Sequence, residues 1–244
     1  LHECNLLDRQ AVAKLPAAQN IVFMAGKKFG STGAECDTWA MNVYMPGIVA
    51  ERFREAAISV FSSGNIYGLV PVGSGGSTEE WPLNPIGDYA QSVVGRERMF
   101  EYASRHYGTK IVQFRLCYAI DLRYGVLRDV AEKVYAGQPV DVCMGHYNCI
   151  WQGDVNAVAL RSLRLAASPP RILNITGPET VAVRYVAQRF GQLLGKKPII
   201  VGEEAPTAIL NNCAAAFASF GYPRVSLDLM MQWIAHWLEI GGAS

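Results

Sequence analysis

A serine hydroxyl and a tyrosine phenol are the residues of this 244-residue chain whose types and placement first point to chemistry. The segment Ser62-Ser63-Gly64-Asn65-Ile66-Tyr67-Gly68 follows the apolar run Ile58-Ser-Val-Phe61, and Tyr89 comes 26 residues after Ser63, near the start of a long amphipathic stretch. Presented together, such groups bind one alcohol or carbonyl oxygen. The phenol then acts as general acid or base if its ionisation is drawn down from the usual value of about 10. Serine at a strand end is also ordinary turn chemistry, so the surroundings have to decide. The six cysteines (Cys4, Cys36, Cys117, Cys143, Cys149, Cys213) include no C-x-x-C pair and no nearby His at zinc spacing, so no metal site is expected. Buried free thiols in a reducing cytoplasm are the expectation. His106 and His146 have no partner spacing and read as surface or loop residues.

These groups need a scaffold, and the pattern supplies one. Short apolar runs alternate with longer amphipathic ones, which argues for parallel strands linked by crossover helices. Strands are predicted at 20–26, 58–63, 110–117, 171–177 and 198–202. Helices are predicted at 39–57 (interrupted by Pro46 and Gly47), 88–107 with Asp88 as N-cap, 126–136, 154–167 capped by Asp154, from just after Pro178-Glu179 to Gly195, 205–220 and 226–240. Ser62 and Ser63 thus fall at a strand's C-terminal end, where α/β sheets place ligands. Gly73-Ser-Gly-Gly76 neither follows a strand nor opens a helix, and reads as a flexible loop rather than a phosphate cradle. Trp151, Trp233 and Trp237 read as packing residues.

Composition narrows the classes. Half the residues are hydrophobic and 18% are charged, enough apolar surface for a packed core. Lys and Arg number 22 against 21 Asp and Glu, with no basic stripe, so nucleic acid is not an expected partner. There is no apolar run of membrane-spanning length, and residues 1–10 carry neither a basic nor an apolar leader region. No membrane partner is expected, and the localisation read from these features is cytoplasmic.

Eight segments in register resemble the extended short-chain dehydrogenase/reductases, specifically the NAD-dependent epimerase/dehydratase group. They are Val22-Phe-Met-Ala-Gly26, Asn42, Ser62-Ser-Gly-Asn-Ile-Tyr-Gly68, Thr78-Glu-Glu-Trp-Pro-Leu-Asn-Pro85, Tyr89-Ala-Gln-Ser92 with Glu97, Arg115-Leu116, Asp154-Val155 and Asn174-Ile-Thr-Gly177. The resemblance implies a Rossmann-like doubly wound parallel sheet with a smaller C-terminal α/β substrate lobe. Residues 1–118 would form a partial dinucleotide-binding domain and 119–244 mainly the substrate lobe, with some segments returning to the main sheet. It implies Ser63 and Tyr89 as catalytic residues. Met24, Ala25, Gly26, Lys28, Asn42, Ser62 and Tyr89 would contact NAD or NADP, with NAD favoured. Tyr118 and Arg123 would lie toward a sugar or related hydroxylated substrate, and a homodimer would form through the helices at 39–57 and 88–107.

Two departures qualify the resemblance. The family's G-x-x-G-x-x-G unit has no counterpart here, and Asn5-Leu-Leu-Asp8 is similar to a segment near the family's third strand. The chain from Leu1 therefore reads as most of a longer protein. The family's lysine four residues after the tyrosine is Val93. In the family that lysine binds the nicotinamide ribose and places a cation on the tyrosine's helix face. Valine does neither, and Arg96, seven residues on, substitutes only by reaching back. Tyr118 also stands where the family usually has Asn. Two functions are expected: an epimerase/dehydratase-like oxidoreductase with an alkaline-shifted pH optimum, or a non-catalytic dinucleotide-binding sensor or scaffold.

Overall fold

The computed structural model describes residues 1–28 and 33–243. The chain divides into two interleaved compact units: Leu1–Gly68 with Pro82–Arg115 and Val158–Leu173, and Leu69–Trp81 with Leu116–Ala157 and Asn174–Ser244.

The first unit is built on a parallel central sheet of β1 (Asn20–Phe23), β2 (Ala57–Ser63), β3 (Lys110–Leu116) and β4 (Arg171–Ile175), hydrogen-bonded in that order. β1 runs parallel to β2 in the register Asn20↔Ala57 to Phe23↔Val60. β3 is buried continuously from Ile111 to Arg115, as a strand covered on both faces must be. The helices are α1 (Arg9–Ala13), α2 (Glu35–Trp39), α3 (Met45–Arg52) and α4 (Gly87–Tyr107). Phe23, Met45, Val49, Ile58, Val60, Phe100 and Ile111 form the core, with Phe23 and Phe100 edge to face at 5.0 Å.

Several predicted boundaries shift, each for a local reason. Instead of one helix over 39–57, α2 and α3 are joined by a π-helical turn, Ala40–Tyr44, and the segment ends at Arg52. Pro46 is accommodated because it lies in the first turn of α3, where a missing N–H costs little. Asp88 is not the N-cap of α4; Ile86 is, and the Asp88 carboxylate instead accepts the Trp39 indole N–H at 2.8 Å. β1 stops at Phe23 and leaves 24–26 to a turn.

The second unit contains α5 (Val126–Tyr135), the first half of α6 (Gln152–Ser162), α7 (Val183–Leu193), α8 (Ala214–Phe220) and α9 (Leu227–Glu239). Its core joins Leu127, Val134, Val186, Phe190, Met231 and Ile234. Asp154 does not cap α6; it lies in the first turn, and its carboxylate accepts the backbone N–H groups of Arg224 and Val225, both at 3.1 Å. Nor does a helix fill 205–220: Thr207–Ala208 pairs with Val70–Pro71, and only Ala214–Phe220 is helical. The glycine-rich loop at 73–76 is not loose, since Ser77 N–H donates to the Leu210 carbonyl and Asn212 N–H to the Ser77 carbonyl, both at 2.9 Å. Trp151 and Trp233 pack edge to face at 5.2 Å. His106 is exposed in the last turn of α4, whereas His146 is half-buried in a two-residue strand rather than in a loop.

Buried charge ties α4 to the sheet. Arg115 on β3 and Glu97 on α4 form a two-pronged pair, Nε to Oε1 at 3.0 Å and Nη2 to Oε2 at 2.8 Å. Both side chains are about 5% exposed. Ser62 Oγ donates to Glu97 at 2.5 Å, Arg115 Nη1 donates to the Tyr67 hydroxyl at 2.6 Å, and Gln113 donates to the Glu97 carbonyl at 2.8 Å. The pair holds the Arg115 guanidinium well above the usual arginine value despite its burial. Removing one member leaves the other charge uncompensated in the interior. Glu97→Ala is therefore expected to lower unfolding free energy by about 3–5 kcal/mol in urea titrations, with Glu97→Gln milder.

All six cysteines are free, but only Cys117, Cys149 and Cys213 are buried; Cys36 and Cys143 are exposed. Burial pushes the Cys117 and Cys213 thiols far up and the Cys149 thiol up to about 12. A thiol reacts as its thiolate. At pH 8 a chromogenic disulfide reagent is thus expected to titrate Cys36 and Cys143 in the folded protein, and the three buried thiols only after denaturation. Prompt reaction of all six in the folded protein contradicts this assignment.

Candidate functional site

In the first unit one buried amide joins several of the segments that carry the sequence-predicted site residues. The π-helical turn carries Asn42 with no exposed surface. Such turns widen the helix locally and recur at functional positions. Asn42 Oδ1 accepts the Lys27 backbone N–H at 2.8 Å, while Nδ2 donates to the Lys27 carbonyl at 3.3 Å and to Ser92 Oγ at 3.0 Å. Ser92 Oγ in turn donates to the Tyr89 carbonyl at 2.8 Å. One side chain thereby fastens the turn after β1 to the first turns of α4.

That turn holds Met24, Ala25, Gly26 and Lys28. Met24, Gly26 and Lys28 are exposed at the C-terminal end of β1, the end at which parallel sheets receive ligands. Gly26 is required by its neighbours: a Cβ there would lie 2.0 Å from Arg96 Nη2 and 2.8 Å from Asn42 Oδ1.

Ser63 closes β2 and caps a 3₁₀ turn, Gly64–Tyr67, its Oγ accepting the Asn65 N–H at 3.3 Å. Its side chain is half-buried, whereas Ser62 is buried with its hydroxyl committed to Glu97. Tyr89 is half-buried and packs with Leu83 and Val94 against Ile66, Tyr67 and Val93. Val93, at the position expected to carry a lysine, has no exposed surface.

Arg96 is the residue that the sequence undervalued. It is 6% exposed, donates Nη1 to the Phe61 carbonyl at 2.8 Å, and donates Nη2 to Asn42 Oδ1. Burial pulls its guanidinium below the usual arginine value, with attraction to Tyr89 and then Glu97 pulling the other way. The signal for it was available: an arginine seven residues after Tyr89 lies on nearly the same helix face.

Tyr118 and Arg123 belong to the second unit. Tyr118 takes a left-handed backbone conformation, φ 42°, and lies 5.9 Å from the Tyr147 ring. Burial pushes its phenol up to about 12. Arg123 is exposed beside Asp121 at 3.6 Å. Among the described residues no group of three or more metal-ligating side chains comes together, and no helix is long and apolar enough to cross a membrane.

Solved structures share this fold. RMD from Pseudomonas aeruginosa, complexed with NADPH, superposes with a TM-score of 0.81 at 17% identity, over 98% of this chain and 88% of that one. UDP-glucuronic acid 4-epimerase from Bacillus cereus, in complex with NAD, gives 0.83 at 14% identity, over 98% and 80%. UDP-glucose 4-epimerase from Thermotoga maritima, with UDP-glucose, gives 0.82 at 17% identity, over 98% and 84%. No curated protein matches the chain significantly. Residues 1–175, well over half of the chain and including Gly26, Asn42, Ser63, Tyr89 and Arg115, match the NAD dependent epimerase/dehydratase family, to which this chain belongs.

Proposed function

We propose that the chain is a nicotinamide-dinucleotide-dependent oxidoreductase of the epimerase/dehydratase type, acting on a sugar or related hydroxylated small molecule. The observation that carries this reading is the hydrogen-bonded line from Lys27 through Asn42 and Ser92 to Tyr89. It ties an exposed turn to the backbone of Tyr89 at the start of α4, at the ligand-receiving end of the sheet.

The turn 24–28, exposed at Met24, Gly26 and Lys28 and braced by Asn42 through the Lys27 backbone, fits the nicotinamide end of a dinucleotide. NADPH and NAD in the P. aeruginosa and B. cereus proteins support that class of cofactor, and NAD is the form we favour. The bound nicotinamide supplies hydride exchange at the substrate carbon. Tyr89 exchanges the proton of the substrate hydroxyl through Oη, and Ser63 donates a hydrogen bond to the same oxygen. Ser62 contributes from beneath, anchoring the strand end through Glu97. We assign Tyr118, whose phenol burial pushes up to about 12, and Arg123 to substrate recognition. The sugar-nucleotide ligand of the T. maritima enzyme supports the substrate class. Pairing of two copies along the π-helical turn with α3 and along α4, where Tyr44 and Tyr102 are both more than half exposed, belongs to the same reading.

Val93 favours a second reading. A valine sealed beneath Tyr89 provides neither charge nor donor, as a dinucleotide-binding sensor or scaffold without turnover would tolerate. Calorimetric titration with NAD and NADP, followed by turnover assays on a panel of sugars and sugar nucleotides, separates the two. The enzyme reading expects Tyr89→Phe to retain dinucleotide binding and lose about 10²–10⁴-fold in kcat. Equal turnover by Tyr89→Phe removes the phenol from the mechanism, and binding without turnover in the unaltered chain selects the sensor.

A further inference from the structure

Between α1 and α3 of the first unit lies a cavity of about 310 Å³, at the lower end of the range in which small-molecule sites fall. Chain order places it away from the turn at 24–28. Leu15 precedes β1, and Arg52 and Arg54 precede β2, whereas the turn at 24–28 and Ser63 stand at the far ends of the same strands. With its seven residues β2 is about 20 Å long, so the two places lie toward opposite ends of the sheet.

Part of the cavity lining is apolar, from Val12, Ala13 and Ile48. The rest is charged. Among the described residues, Arg9, Arg52 and Arg54 bring three guanidinium groups to it and Glu51 brings one carboxylate, a surplus of two positive charges. Arg9 takes that carboxylate, its Nη1 meeting Glu51 Oε2 at 2.5 Å. Half-buried Arg52 donates Nη2 to the neutral Leu15 carbonyl, and its Nε is buried without a hydrogen-bond partner. The Phe53 ring, 5.0 Å from the Arg52 guanidinium, is a neutral neighbour as well. Arg54 has Glu55 at 3.6 Å, but the Glu55 side chain is 91% exposed, and so open an ion pair contributes little. Two arginines two residues apart thus face one cavity without a buried carboxylate between them.

Like charges brought together beside apolar surface repel unless an anion joins them. A phosphate monoester carries close to two negative charges near pH 7 and three acceptor oxygens. It matches the surplus, and guanidinium forks match its oxygens in pairs. We propose that this cavity binds a small phosphate monoester, with the phosphoryl group taken by Arg52 and Arg54 and the organic part laid against Val12, Ala13 and Ile48. The site is separate from the one assigned to the dinucleotide, and it stands whether or not the chain turns over a sugar.

The test uses the full chain labelled with ¹⁵N and three probes: phenyl phosphate, inorganic phosphate and benzyl alcohol. Phenyl phosphate is expected to shift backbone amide signals within 9–15 and 48–55 and to bind more tightly than either other probe. Arg54→Gln is expected to weaken it about tenfold, the loss of one charge-assisted hydrogen bond. Ala13→Glu, at an exposed position of α1, places a carboxylate in the cavity and is expected to abolish the shifts. Arg52→Met should act like Arg54→Gln; if it fails to fold for want of its bond to Leu15, the other two variants still decide. Shifts confined to 24–28 and 63, or affinity unchanged in folded Ala13→Glu and Arg54→Gln, overturn the proposal. Inorganic phosphate bound as tightly as phenyl phosphate overturns the ester assignment, and benzyl alcohol bound as tightly overturns the anion assignment.

Discussion

One buried amide organises the first unit. Asn42 spends its acceptor on a backbone N–H and a guanidinium and its donor on a carbonyl and a hydroxyl, so its hydrogen-bonding capacity is used in full. A polar side chain with no exposed surface is tolerable only when satisfied in this way. The requirement runs in both directions. The turn at 24–28, the start of α4 and the Arg96 head group take their positions from Asn42, and the π-helical turn at 40–44 exists where it does so that residue 42 points inward at that depth.

Charge burial explains the second layer of the arrangement. Glu97 and Arg115 are removed from water together, with Ser62, Tyr67 and Gln113 completing their hydrogen bonds. That pairing lets α4 press against β3 without leaving an isolated ion. Arg96 is buried next to it without a carboxylate bonded to its head group, held by two neutral oxygens. The contrast is physical: one arginine is neutralised by a carboxylate, while the other is held by neutral oxygens alone. Gly26 and Val93 fit this division, the first leaving room for the guanidinium and the second sealing the apolar floor beneath Tyr89.

The parallel sheet was legible in the sequence because buried strands read as continuous apolar runs; β2, β3 and β4 fall where the pattern places them. Tertiary bonds override local signals elsewhere. Asp88 and Asp154 look like caps, but an indole N–H and two backbone N–H groups claim their carboxylates. The predicted helix over 205–220 gives way because Thr207 and Ala208 pair with another strand, which no local period reveals. At the site, Ser63, Asn42 and Tyr89 carry recognisable spacing. The course of the Arg96 side chain does not, because it depends on the absent side chain at Gly26, 70 residues away.

The central claim is that Asn42 and Arg96 act as one unit behind Tyr89. A double-mutant cycle on unfolding free energy, with Asn42→Ala, Arg96→Met and the pair together, addresses it directly. A charge-assisted hydrogen bond between buried partners predicts a coupling of about 1.5–3 kcal/mol. Additive single effects, within about 0.5 kcal/mol, would contradict the account.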